Sequence, residues 1–267
     1  MKLLTVGCSF TKEVKHRNFS TWKNWVVEKF PEFDYISLES LASPNCTNVP
    51  EITEKIRELD DGEKAIAIIQ LTGMDRMYVE GLGRSPAVAS IEHHMKKKKR
   101  WCSWGMIAGK GGHEHEAYSN RWLDYFINEY DEEAHINTLI KNLVEFQKVC
   151  EQKKIPNLVF LGWNIFVQQG KSKMWDLKKP YENIEDPLVF ELYESSQKLV
   201  EALDFSKFYF FENDKVKYGG LTEFSQHILP SEKWFRKTTK PIDFHPSDAA
   251  HEEFANKVIL PWIRENL

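Results

Sequence analysis

The residues Leu3-Leu4-Thr5-Val6-Gly7-Cys8-Ser9-Phe10 form a short apolar run that stops at a glycine, with a hydroxyl two positions beyond it. A run this short, closed by a turn residue, suits a buried strand rather than a helix. A second run, Ala65-Ile66-Ala67-Ile68-Ile69-Gln70-Leu71, is nearly continuous in apolar character. That is the pattern of a central parallel strand, whose two faces are both covered by helices. Shorter runs at Phe33–Ser37, Pro156–Gly162 and Phe208–Phe211 bring the expected strands to five.

Helical periodicity fills the intervals. Ser20 is the expected N-cap of a helix carrying Trp22, Trp25, Val26 and Phe30. Asn48 is the expected N-cap of the next, with Pro50 in its first turn and Val49, Ile52, Ile56 and Leu59 as its stripe. Ile136, Leu139, Ile140, Leu143, Phe146 and Val149 mark a third helix, and another lies around Pro187 to Leu203. The last starts at Ser247 and runs through Phe254, Val258 and Ile259, with Pro261 kinking or restarting it. Strands alternating with helices predict a three-layer α/β/α sandwich around a five-stranded parallel sheet, flavodoxin-like in order. The expectation is one domain over residues 1–267 with an insertion at about 77–118, between the third strand and the following helix. That segment has few periodic apolar residues and many glycines, and a loop of such length in a compact domain is usually functional.

Composition narrows the class. Hydrophobic residues are 42% and charged residues 28%, as in a folded globular protein rather than a disordered one. Lys and Arg number 36 against 40 Asp and Glu, so the net charge of −4 gives no overall pull toward nucleic acid or an anionic membrane. No apolar run is long enough to span a bilayer, and the N-terminal run is too short for a signal peptide. The cysteines Cys8, Cys46, Cys102 and Cys150 are widely spaced, so neither a disulfide framework nor a zinc knuckle is expected, and a reducing, cytoplasmic setting is.

Ligands of open α/β sheets bind at the carboxyl ends of the strands, near the topological switch point. Three turns therefore matter. The first carries Ser9, and the third carries Thr72-Gly73-Met74-Asp75-Arg76. Asp243-Phe244-His245-Pro246 lies just before the last helix. A serine hydroxyl needs a base to remove its proton, and a histidine needs a carboxylate to fix its tautomer. Pro246 holds His245 extended, so Asp243 and His245, two apart, can share one face of a strand-like segment.

These blocks resemble those of the SGNH, or GDSL-type, hydrolases. Gly7-Cys8-Ser9-Phe10 is similar to the first block, with Cys8 where aspartate usually stands, and Asp243-Phe244-His245-Pro246 is similar to the last. Ala42-Ser43-Pro44-Asn45-Cys46-Thr47-Asn48 resembles the second block, with Asn45 in place of the oxyanion-hole glycine. Thr72-Gly73-Met74-Asp75 resembles the third, with Asp75 in place of the asparagine that donates to the oxyanion. The four blocks span the chain apart from the insertion, and a pattern with an arginine after the third strand resembles phage and environmental variants, as in a virus-encoded member. The resemblance implies ester or acyl hydrolysis by Ser9, with His245 as base, Asp243 as its orienter and no cofactor. The substrate implied is a small-molecule or carbohydrate ester. A carboxylate donates no hydrogen bond unless protonated. The missing oxyanion donor is then expected from Asn45, Asn48 or the Thr72 hydroxyl.

Other readings of the same residues lead elsewhere. Ser9 capping a helix and His245 at the surface would make the domain a catalytically impaired binding or structural module; an acyltransferase would use the same triad. Asp75 and Arg76 suit either a structural ion pair or a clamp on an anionic substrate group. Lys96-Lys97-Lys98-Lys99-Arg100 reads as a solvated loop rather than a nucleic-acid contact, with Trp101 and Trp104 beside it as inward anchors of a lid. His113-Glu114-His115-Glu116 lacks the H-E-x-x-H spacing of a zinc site, so no metal is expected.

Overall fold

The computed structural model describes residues 1–8, 11, 20–38, 45–73, 78–79, 83–84, 125, 128–167, 179–236 and 243–267, without the side chains of residues 78–79, 83–84, 243 and 244. The expected insertion lies outside the described residues except for a two-residue antiparallel ribbon, Tyr78–Val79 against Gly83–Arg84.

Five strands form one parallel sheet: β1 (Lys2–Val6), β2 (Asp34–Ser37), β3 (Ala65–Leu71), β4 (Asn157–Leu161) and β5 (Phe208–Tyr209). Their order across the sheet is β2-β1-β3-β4-β5. The chain first steps outward from β1 to β2, then returns to the other side of β1, so the switch point lies between β1 and β3. There Val6 stands opposite Ile69, which brings both strands to the same edge together.

Alternation of side chains explains the two cores. Leu4, Val6, Ala67, Ile69, Val159 and Leu161 face the layer of α2 (Asn45–Arg57), α3 (Glu132–Lys153) and α4 (Glu194–Val200). Leu3, Ile66, Ile68, Leu158 and Phe160 face α1 (Trp22–Lys29), α5 (Leu221–Ile228), α6 (Asp248–Phe254) and α7 (Leu260–Glu265). Every residue of β3 is buried, and each large aliphatic side chain so placed contributes about 1.5–3 kcal/mol relative to exposure. Trp22 packs edge-on against Phe160, ring centres 5.5 Å apart. This is the three-layer α/β/α sandwich expected from the alternation of patterns.

Several boundaries differ from expectation for identifiable reasons. Thr21, not Ser20, caps α1: its N–H donates to Asn24 Oδ1 at 2.7 Å and its hydroxyl to the Thr11 carbonyl at 2.9 Å. Asn48 is not the N-cap of α2, which begins at Asn45 and places Pro50 inside the helix. The helix gains its extra turn where the Asn45 side chain bonds to the loop after β3. The segment from Pro187 to Leu203 is a 3₁₀ turn, Val189–Glu191, followed by the short α4, because Glu191 Oε2 takes the Leu188 N–H at 3.1 Å. Ser247 does cap α6, accepting the Ala250 N–H at 3.1 Å. The helix then passes through a π turn, Ala255–Ile259, and resumes as α7 with Pro261 in its first turn. Among the described residues no helix is long and apolar enough to cross a membrane.

Candidate active site

The edge of the sheet beyond β1 and β3 is built from hydrogen bonds between side chains and backbone. Past Val6, Gly7 enters a turn closed by the Thr11 N–H donating to the Cys8 carbonyl at 2.9 Å. A Cβ at Gly7 would lie 2.4 Å from Thr11 Oγ1 and 3.0 Å from Gln70 Oε1, so only glycine fits. Gln70 reaches this turn from β3. Its Oε1 accepts from the Cys8 N–H at 3.3 Å, the Cys8 thiol at 3.3 Å and the Thr11 hydroxyl at 3.1 Å. Its Nε2 donates to the Leu71 carbonyl at 2.6 Å. Trp22 Nε1 donates to Thr11 Oγ1 at 3.3 Å. Gln70, Cys8 and Thr11 are all fully buried. The expected nucleophile Ser9 lies between Cys8 and Thr11 in the chain and outside the described residues.

One residue beyond β3, Asn45 holds Thr72 at two points. Asn45 Nδ2 donates to the Thr72 carbonyl at 2.7 Å, and the Thr72 N–H donates to Asn45 Oδ1 at 2.9 Å. Both residues are buried, yet the Thr72 hydroxyl has no hydrogen-bond partner among the described residues. Leaving a buried hydroxyl unpaired costs roughly 1–3 kcal/mol. Asn48, also buried, sits in the first turn of α2. The structure thus joins Asn45 and Thr72 directly, and links both through Leu71 and Gln70 to the Cys8–Thr11 turn. Asp75, Arg76, Trp101 and Trp104 lie outside the described residues.

The third segment is a small antiparallel hairpin, β6 (Phe235–Arg236) with β7 (Asp243–Pro246). Arg236 is registered with Asp243 and Phe235 with Pro246. Asp243 and His245 are two apart on strand backbone, as expected, and β7 leads directly into α6. His245 is half-buried. Six residues on, His251 is fully buried and neither ring nitrogen has a hydrogen-bond partner among the described residues. Burial first, and then electrostatic repulsion led by the Arg236 guanidinium, hold it well below the ordinary histidine value. It is therefore a neutral imidazole.

Three polar residues of this region were not anticipated from the sequence. Gln70 had a signal, being the one polar residue in an otherwise apolar strand. His251 and Glu223 had none beyond their identity. Glu223 of α5 is fully buried and accepts the Gly220 N–H at 2.8 Å; burial pushes its carboxyl up to about 7. Among the described residues no group of three or more His, Cys, Asp or Glu is arranged to hold a metal ion, and His113 and His115 lie outside them.

The arrangement offers a hydroxyl donor on a doubly held backbone, beside a turn tied to the neighbouring strand. A preorganised donor of this kind is what developing negative charge requires, because it needs no reorganisation during reaction. A scan against protein-family models finds no match to this chain, and a search of curated proteins finds none either.

Proposed function

We propose that the chain is a serine hydrolase of the SGNH type that cleaves an acyl ester, with a carbohydrate ester as the favoured substrate class. Ser9 Oγ attacks the acyl carbon while His245 takes its proton, and the carbonyl electron pair moves onto oxygen. Collapse of that intermediate expels the alcohol, protonated by His245, and leaves an acyl-serine that water cleaves by the same route. Asp243 orients His245. In the oxyanion site the Ser9 N–H and the Thr72 hydroxyl donate, in place of the amide that Asp75 cannot supply.

The observation that supports this reading is the buried, unpaired Thr72 hydroxyl at the switch-point edge, on a backbone that Asn45 holds at both its N–H and its carbonyl. A buried donor without an acceptor among the described residues fits an acceptor brought by a ligand. Arg76, Trp101 and Trp104 would then contact the alcohol or sugar portion.

Labelling by a fluorophosphonate probe tests the assignment. The wild-type chain should be labelled, the Ser9→Ala variant should not, and Ser9→Ala and His245→Ala should each abolish most p-nitrophenyl acetate turnover. Equal turnover in wild type and Ser9→Ala removes the hydrolase reading. A folded wild type without labelling or turnover points instead to a binding or structural module. Acyl transfer to an added sugar in preference to water would mark an acyltransferase using the same triad.

A further inference from the structure

We propose that Gln70 is a positioning residue for the turn that carries Ser9, holding that turn to the third strand from both sides of the serine. The inference rests on the reading of Ser9 as nucleophile. It stands on the geometry of one carboxamide in the middle of the sheet.

A glutamine in a fully buried central strand loses the hydration of its amide, so its hydrogen bonds must be made within the protein. All of those here lead to the strand ends. The Cys8 N–H and thiol lie before Ser9 in the chain and the Thr11 hydroxyl after it, and all three donate to the same oxygen, at 3.3, 3.3 and 3.1 Å. The orientation of the amide is fixed by its partners: a flipped group would set its NH₂ against the Cys8 N–H and its oxygen against the Leu71 carbonyl. Without Gln70, the four-residue turn keeps the Thr11 N–H to Cys8 carbonyl bond, and Thr11 keeps its contacts with Trp22 and Thr21. None of these bonds reaches β3, the strand that leads into Thr72, and the β1–β3 ladder itself ends at Val6 opposite Ile69. Gln70 therefore ties the residues on either side of Ser9 in the chain to the strand that leads into Thr72.

The Cys8 thiol acquires a role in this arrangement. It donates to the amide while packed in the core, and it forms no disulfide.

The test compares wild type with Gln70→Met, which keeps length and bulk without the amide, and with the milder Cys8→Ala, which removes one donor. Two quantities are read: amide hydrogen exchange of the Cys8–Thr11 segment, and kcat and KM for p-nitrophenyl acetate. In Gln70→Met, exchange of the segment should rise on the order of tenfold, the equivalent of one lost hydrogen bond, with β4 and α3 unchanged. kcat should fall by about 10- to 100-fold, as for a catalytic group displaced by about an ångström, and KM should stay within about twofold. Cys8→Ala should move both readings the same way but less, and Cys8→Ser should restore them. Unchanged exchange in the segment in both variants overturns the proposal, and so does a loss of kcat that only follows global unfolding. If wild type shows no esterase activity, the hydrolase reading fails. The exchange result then decides by itself whether Gln70 holds the turn.

Discussion

Glu223 turns back on its own helix to accept the Gly220 N–H at 2.8 Å, and it does so from complete burial. Its carboxyl, pushed up to about 7 by burial from an ordinary 4.5, carries a proton in the folded chain at a pH where the unfolded chain has lost it. The associated stability is fully present below pH 4.5 and is lost as pH rises through about 7. At about 1.4 kcal/mol per unit, the loss is about 3 kcal/mol. Glu223→Gln, which has no proton to lose, should flatten this part of the profile. Urea unfolding of both proteins at pH 5 and pH 8 gives the comparison, and parallel behaviour would contradict a buried protonated acid.

His251 acts on the opposite side of the profile. Its folded value lies well below 6.5, through burial first and then the nearby Arg236 guanidinium. The unfolded chain therefore binds the proton first on acidification. Stability from this group is present above 6.5 and is lost as pH falls below it. Replacing His251 with Met should leave a variant whose melting temperature falls less than that of wild type between pH 7 and pH 5. A difference between the two proteins that stays constant with pH would show that His251 is not held neutral.

Thr72→Val separates chemistry from folding at one position. Valine matches threonine in shape, and the hydroxyl it removes has no partner among the described residues. Stability should hold or rise slightly, by up to about 1 kcal/mol, since an unsatisfied buried group is removed. Loss of an oxyanion donor typically lowers kcat on the order of 100- to 1000-fold. Thermal denaturation and steady-state kinetics on one preparation read both effects. Full activity in a stable Thr72→Val protein would move the donor role to Asn48 or the α2 N-terminus.

Gly220→Ala should be among the more damaging single-methyl additions in the chain. The new Cβ would lie 2.3 Å from the Leu161 carbonyl oxygen, at the end of β4, where backbone cannot step aside. Overpacking of this kind costs roughly 1–3 kcal/mol. The wild-type melting temperature is the reference, and an unchanged value would mean that α5 shifts freely relative to β4.

β1, β3 and β4 were legible because a strand buried on both faces must be apolar at nearly every position, and α3 because its stripe persists over several turns. α5 was not, since Thr222, Glu223, Ser225 and Gln226 are all buried there and make no apolar stripe. Their burial is set by long-range partners: the Thr222 N–H and hydroxyl both donate to the Gly162 carbonyl, at 3.1 and 3.0 Å. The start of α2 was misplaced for the same reason. Asn48 and Pro50 are a valid local helix-start signal, but the bond between Asn45 and Thr72 joins residues 27 apart in sequence. The strand ends that carry the candidate site could be found from topology, and so could Asn45 and Thr72 as residues near them. Their hydrogen-bond assignments could not, because Gln70, Asn45 and Thr72 meet only when the sheet has formed.

The π turn at Ala255–Ile259, where the Leu260 N–H reaches back to the Ala255 carbonyl, amounts to one extra residue in the C-terminal helix. It turns everything downstream by about 100°, so Phe254 before it, Val258 within it and Leu260 and Ile263 after it are all buried in the same core. Deleting exposed Asn256 or Lys257 would restore ordinary helical phase without displacing that apolar face. In ordinary helical phase the ring of Pro261 would meet the carbonyl four residues earlier, so the deletion should cost stability at the proline. The extra residue and the proline are a matched pair, and in descendants of this chain the loss of one is expected to be followed by the loss of the other.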